Sequence, residues 1–224
     1  MHIVIATNYD NGKGLQADAE LLRRELETRG HRVSLAHTER ERVAPACDLV
    51  IFLETVRAGM YPAAPRRWVV PNLEWWDPKT DLDPFETILC KTPDSFGIFR
   101  EVAGEKAVYS GWLSAELPAV EKTDRWLHVA GGSSAKGTGA VVSAWRANPG
   151  FPVLEVVSSV FPVPRGGLPK NVILHKKLTA TALRGQQAAA RFHVQPSEYE
   201  GFGHAIWEAL SAGGIALVPA APPL

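Results

Sequence analysis

Two glutamates eight positions apart, Glu200 and Glu208, lie in the stretch of this chain richest in chemistry, residues 196–214 (P-S-E-Y-E-G-F-G-H-A-I-W-E-A-L-S-A-G-G). Ionised carboxylates only accept hydrogen bonds, so a pair of them suits a ligand that presents hydroxyl groups. Between them, Gly201, Phe202 and Gly203 form a turn into an amphipathic helix beginning near His204. Ile206, Ala209, Leu210 and Gly213 recur at i, i+3, i+4 and i+7 and are expected to form its buried face. Glu208 should lie off that face, and Glu200 just ahead of the helix. A helix N-terminus preceded by small residues lets an anion approach free N–H groups at the positive end of the dipole. Hydroxyls and phosphate together suggest a sugar nucleotide. An ordinary loop-helix unit with surface glutamates is the alternative.

This segment resembles the E-x7-E signature of retaining glycosyltransferases of the GT-B fold, in particular the GT4-like group, whose pattern commonly reads P-S-x-x-E-G-F-G-x-x-x-x-E-A-x-A-x-G. The match runs through nearly every position from 196 to 213. The resemblance implies that Glu200 holds donor-sugar hydroxyls and that Glu208 accepts from the ribose. It implies that Gly201, Phe202 and Gly203 bring backbone amides to sugar or phosphate, with His204 close to the sugar.

A second glycine-rich loop, Gly131-Gly132-Ser133-Ser134-Ala135-Lys136-Gly137, is similar to the family's G-R-x-x-x-x-K-G, in which Arg and Lys neutralise the leaving diphosphate. Lys136 and Gly137 fit the Lys-Gly pair, and Gly132 stands at the arginine position. Positive charge or oriented N–H groups are needed where a departing diphosphate develops charge. Lys136 with backbone amides, Lys176 or Arg184 could supply them; a solvated loop lysine is the plain alternative.

The first loop, Asn11-Gly12-Lys13-Gly14, resembles the turn after the family's first strand, which brings backbone close to the donor. It matches neither the P-loop nor G-x-G-x-x-G, and a connecting turn fits its residues equally well. Family members often carry a histidine after the strand corresponding to R-W-V-V-P-N-L-E-W-W; here the alignment puts Glu74 there. Glu74, flanked by Asn72, Trp75 and Trp76, is a candidate for stabilising charge or holding an acceptor hydroxyl, with the indoles stacking on a sugar or base. An aromatic plug beside a surface glutamate is the rival. Glu200, Lys136 and Glu74 are thus the candidate catalytic residues. Gly12, Lys13, Gly14, Gly132 and Gly137 join the residues of 200–208 on the donor side, and Asn72, Trp75 and Trp76 are placed on the acceptor side.

Asp81-Leu82-Asp83 has the D-x-D form by which GT-A enzymes hold a metal, but it sits in a proline-flanked loop of a chain otherwise resembling GT-B. The seven histidines show no metal spacing, so no metal and no cofactor are expected. The nucleotide sugar, such as a UDP- or GDP-sugar, would be substrate.

The elements that must position these residues follow a strand-loop-helix rhythm. Strands are expected at 1–6, 32–36, 48–53, 68–71 and 87–91, with a helix from 15 to its glycine stop at Gly30 bearing Leu15, Ala19, Leu22 and Leu26 on one face. Residues 108–124 are polar and broken. The rhythm resumes with strands at 126–130, 153–157, 172–174, 192–195 and 215–218, and helices through 141–145 and 179–191. This alternation indicates parallel sheets with crossover helices. The expected fold is α/β, GT-B, with two Rossmann-like domains and an interdomain cleft. The domains are 1–113 (acceptor side), a linker at 114–124, and 125–224 (donor side). One doubly wound sheet is the rival architecture.

Relatives continue beyond the strand that follows the motif helix, so the second domain is expected either to be compact or to lack its C-terminal tail in this sequence. The 24 basic and 24 acidic side chains cancel, which argues against binding nucleic acid or membrane by bulk charge. Cys47 and Cys90 fall in stretches that read as buried strands and are expected as core thiols of a reducing compartment rather than a disulfide or metal site. No secretory signal or membrane-length apolar run is present, and a cytoplasmic protein is expected.

The expected activity is retaining, metal-independent transfer from a nucleotide sugar to an unidentified acceptor: a small molecule, glycan, protein or modified nucleic acid. A non-catalytic nucleotide-sugar binder is the alternative from another class, and a GT-B nucleotide-sugar epimerase the enzymatic one.

Overall fold

A computed structural model describes residues 1–12, 14–198 and 200–220. The described residues divide into two compact units, one up to Trp112 and one from Leu113 onward.

In the first unit, β1 (His2–Thr7), β2 (Arg32–His37), β3 (Leu49–Leu53), β4 (Arg66–Val70), β5 (Thr87–Cys90) and β6 (Ala107–Tyr109) form one parallel sheet ordered β2-β1-β3-β4-β5-β6. A parallel sheet is covered on both faces, so its central strands are apolar throughout; all five residues of β3 are buried. One face packs Val4, Val50, Phe52, Val69 and Ile88 into a core with Phe99. The other packs Ile3, Ile5, Leu49 and Ile51 against α1 (Gly14–Thr28) through Ala19, Leu15, Leu22 and Leu26, the four residues that the periodicity places on one face. Each fully buried aliphatic or aromatic side chain contributes about 1.5–3 kcal/mol.

No helix is expected between β5 and β6 from the sequence pattern, yet α2 (Pro93–Ala103) fills that connection. It opens on a reciprocal cap in which Thr92 Oγ1 accepts from Ser95 N, and Ser95 Oγ accepts from Thr92 N. Serine does here what glutamate usually does at the third position, so the usual sequence signature is absent. Strand β6 runs into the start of the 108–124 stretch that the sequence presents as polar and broken. Cys47 precedes β3 rather than lying in it and is only half-buried, whereas Cys90 is buried in β5.

The second unit's sheet contains β7 (Thr123–Gly131), β8 (Leu154–Ser158), β9 (Val172–His175), β10 (Ala190–Val194) and β11 (Ile215–Leu217). They are parallel and ordered β11-β10-β7-β8-β9. Helices α3 (Thr138–Ala147), α4 (Ala180–Ala189) and α5 (His204–Ser211) make the crossovers. Val141, Val142 and Trp145 of α3 pack on Leu154, Val156 and Val172. Trp126 stacks on Phe192 across β7 and β10, with centroids 4.6 Å apart. The alanine-rich helix stops at Ala189, two residues earlier than expected, because Ala190 already enters the sheet. Before β7 the chain runs along this unit: Leu117 packs on Ala188 and Ala212, and Lys122 Nζ donates to Ala188 O at 2.6 Å.

Candidate functional site

The carboxyl ends of β7 and β10 carry the two loops that the sequence singled out. In an open parallel sheet those ends are where crossovers diverge and leave room for a ligand. Gly137 caps α3 in the left-handed region (φ 69°, ψ 16°), and Gly203 does the same for α5 (φ 83°, ψ 47°). At Gly137 glycine is also demanded by space, since a Cβ there would meet Pro196 O at 2.6 Å and Pro196 Cγ at 3.0 Å. This backbone approach seats the Lys136-Gly137 loop against the head of the 196–203 segment.

The contact brings together two residues 64 positions apart: Lys136 Nζ donates to Glu200 Oε2 at 2.5 Å. Glu200 is only 7% exposed and Lys136 24%, so the pair is recessed yet reachable from the lysine side. Glu208, four residues into α5, accepts from Gln187 Nε2 at 2.8 Å, and Gln187 is itself buried. Gln187 thus fixes the rotamer of Glu208, a role that no sequence pattern announced.

Phe202 is buried and stacks on Trp207 (5.9 Å, 20°), whose Nε1 donates to Phe202 O. Its ring therefore braces the turn, leaving backbone as its means of touching a ligand. His204 Nδ1 is hydrogen-bonded to Ser114 Oγ at 2.9 Å. The buried side of α5 is Ile206 and Ala209, continued by Ala212 at its C-cap; Leu210 is 45% exposed and Gly213 is exposed, correcting the face read from periodicity. Helix α5 is short, and its buried stripe follows i, i+3, i+6.

Behind the loop, buried His128 joins three elements. Its Nδ1–H donates to Val194 O (2.7 Å) and its Nε2 accepts from Thr138 Oγ1 (2.9 Å), which fixes a neutral tautomer. Burial holds its pKa below the usual histidine value, and nearby Lys136 pushes the same way. Gly132 is exposed, and no side chain at that position supplies an arginine's charge. Lys176 Nζ is turned to Phe161 O, and Arg184 is exposed on α4. A groove of about 420 Å³ lined by Trp145, Arg146, Val153 and Asn171 lies at the amino ends of β8 and β9, the opposite edge of the sheet from this chemistry.

The remaining candidates belong to the first unit. Lys13 lies outside the described residues. Gly12 has φ +67°, and its N–H is taken by Gln16 Oε1 at 3.1 Å; Gly14 opens α1. Glu74 is exposed and Trp75 is 72% exposed, whereas Trp76 is half-buried edge-on against Phe99 at 5.4 Å and so belongs to the core. Asn72 is buried, and its Nδ2 donates to Glu54 Oε2 at 2.9 Å.

Three polar residues were missed here. Glu54 follows β3 directly; Lys91 follows β5 and donates to Asp18 Oδ2 at 2.9 Å, with both ends of that pair about 95% buried. Trp112 Nε1 also donates to Asp18, at 2.8 Å. Asp18 was legible as a polar residue one turn from Leu15 on the helix's inner side. Asp83 N donates to Asp81 Oδ1, which ties the D-L-D loop to itself. Among the described residues no group of three or more His, Cys, Asp or Glu is placed to hold a metal ion, and no helix is long and apolar enough to cross a membrane.

No family model and no curated protein matches the chain. Solved structures do. A structure of WaaG, a glycosyltransferase involved in lipopolysaccharide biosynthesis, superposes with TM-score 0.62 at 13% identity, covering 98% of this chain and 81% of that one. An alpha-glucosyltransferase in complex with UDP gives 0.60 at 11% identity, covering 97% and 80%. An alpha-glucosyltransferase with UDP-glucose and DNA containing an abasic site gives 0.55 at 12%, covering 97% and 79%. At these identities the likeness is one of fold: the chain has the α/β architecture of GT-B glycosyltransferases.

Proposed function

We propose that this protein is a retaining, metal-independent glycosyltransferase of the GT4-like kind, moving a sugar from a nucleotide-sugar donor such as a UDP- or GDP-sugar to a hydroxylated acceptor. The observation that carries this reading is the recessed Lys136–Glu200 pair between the left-handed starts of α3 and α5. It offers a cation and a carboxylate side by side with backbone N–H groups, the combination a sugar diphosphate requires. Glu200 would accept from the sugar's hydroxyls, and Glu208, held by Gln187, from the ribose. Lys136 would move from Glu200 toward the diphosphate as charge develops on the leaving oxygen. With Gly132 at the arginine position, N–H groups of the 132–137 loop other than those of Ser133 and Ala135, which bond within the loop, share that task with those of 201–203. Same-face attack, in which the leaving phosphate takes the acceptor's proton, needs no protein base. In this scheme the second unit binds the donor and the first the acceptor.

The solved neighbours supply the nucleotide: UDP in one and UDP-glucose with DNA in another. They make modified DNA one acceptor to try beside glycans. A second reading, a binder without turnover, is favoured by the absent arginine at Gly132.

The test is a thermal-shift series over UDP- and GDP-sugars followed by nucleotide release. A donor that stabilises the wild type but not Glu208→Ala locates the nucleotide, each variant being compared with its own ligand-free midpoint. That baseline is needed because Glu208→Ala leaves the buried Gln187 amide unpaired. Failure of every nucleotide to stabilise the protein refutes the proposal, and binding without nucleotide release across acceptors favours the binder.

A further inference from the structure

The carboxyl edge of the first unit's sheet holds a polar constellation that the donor site leaves unused. Neighbouring strands β3, β4 and β5 deliver Glu54, Asn72 and Lys91 there in sheet order. Glu54 is the one non-glycine residue with positive φ (64°) among those described. Its N–H donates to Val70 O at 2.9 Å, locking it beside β4. A glutamate gains nothing locally from the left-handed region, which disfavours side chains, so the surrounding structure imposes its place. Lys91 is committed to Asp18, which leaves the Glu54 carboxylate with Asn72 as its partner.

The second observation concerns Asn72. It is 9% exposed, its Nδ2 is spent on Glu54, and its Oδ1 is buried with no hydrogen-bond partner. Both atoms sit on one carboxamide, so the orphan oxygen stands beside the carboxylate. A buried acceptor left unsatisfied costs about 1–3 kcal/mol, and the group that relieves it must be a donor. Burial holds the Glu54 carboxyl above the usual glutamate range; the Asn72 bond and Lys91 oppose this, whereas Glu74 and Asp18 add to it. A donor to Glu54 would favour its ionised form.

We propose that Glu54 and Asn72 form a subsite for a vicinal diol, one hydroxyl donating to the Glu54 carboxylate and its neighbour to Asn72 Oδ1. Two acceptors side by side match the two adjacent O–H groups of a sugar ring or polyol, and they leave a ligand that lacks donors with nothing to hold. The proposal rests on the reading of this protein as a sugar transferase and narrows the acceptor to a diol-bearing compound engaged by the first unit. Glu54 is placed here as a binding residue; no proton transfer is assigned to it.

The probes are methyl α-D-glucopyranoside and methyl α-D-mannopyranoside, with 2-deoxy, 3-deoxy and 4-deoxy analogues as controls. In protein carrying 13C-labelled glutamate carboxyls, the Glu54 signal is assigned by its loss in Glu54→Gln. The expected result is a saturable shift of that signal by at least one methyl glycoside and a lowered Glu54 titration midpoint. Affinity should fall about tenfold for an analogue that lacks one hydroxyl of the bound diol, the worth of one hydrogen bond to a charged group. Glu54→Gln and Asn72→Ser should each weaken probe binding similarly while leaving nucleotide-sugar thermal shifts unchanged. A Glu54 signal indifferent to every probe, or probe affinities equal in wild type, Glu54→Gln and Asn72→Ser, overturns the subsite. Diol binding in a protein that no nucleotide stabilises would remove the donor reading and leave the subsite standing.

Discussion

Gly137→Ala tests whether the approach of two backbones holds the candidate donor site together. The perturbation is one methyl group, and two terms set its magnitude. Alanine in the left-handed region that Gly137 occupies (φ 69°) costs about 1–2 kcal/mol. The new Cβ would also stand 2.6 Å from Pro196 O and 3.0 Å from Pro196 Cγ. The first of these is a backbone atom, so relief requires the loop or the 196–203 segment to move, at about 1–3 kcal/mol by analogy with overpacking. The sum, about 2–5 kcal/mol, corresponds to a fall in Tm of roughly 5–15 °C for a chain of this size. The displacement would also pull Lys136 from Glu200 and misalign the start of α3, so under the proposed function affinity for UDP, taken as the trial nucleotide, should fall by about tenfold or more. Gly139→Ala is the control. Gly139 lies inside α3, and its added Cβ would have nothing within 4 Å, so it should be neutral or stabilising by up to about 1 kcal/mol. Scanning calorimetry and titration calorimetry with UDP measure both variants. Gly137→Ala as stable as Gly139→Ala, with wild-type UDP affinity, would refute the reasoning.

Other outcomes follow from buried groups. Lys91→Met removes the lysine that pairs with Asp18 and leaves Trp112 Nε1 bonded to it. The pair is about 95% buried, so the change should destabilise the protein by about 3–5 kcal/mol, and urea unfolding that shows less than about 1 kcal/mol would refute this. His128 and His193 are both held below the usual histidine pKa by burial. The unfolded chain therefore takes up protons first as pH falls. Their contribution is complete above the unfolded value near 6.5 and is lost as pH drops from there toward their lower folded values. Tm should decline between pH 7 and 5, and a conservative His128→Gln variant should show a shallower decline.

Much of the fold was legible. The apolar runs of β1 and β3 and the four-residue stripe of α1 announce a parallel α/β unit, since strands covered on both faces leave no room for polar alternation. Helix α2 escaped because its cap uses Ser95 in place of an acidic residue. The face of α5 was misjudged because seven residues of pattern cannot distinguish Leu210 from Ala212 as the inner position; packing of Ala212 with Leu117 and Ala188 decides that.

The candidate site divides along the same line. Sequence by itself marked Glu200, Gly203 and Glu208, as carboxylates and a small residue at fixed spacings about a helix start, and it marked Lys136 and Gly137 through the resemblance of their loop to the family's G-R-x-x-x-x-K-G pattern. The tertiary structure alone decided that Lys136 meets Glu200, that Gln187 holds Glu208, and that Pro196 forbids a side chain at Gly137. It alone placed Glu54 beside Asn72. Those pairings join residues 18 to 64 positions apart. Their geometry is set by which strands lie side by side in the sheets, and no local pattern in the chain records that order.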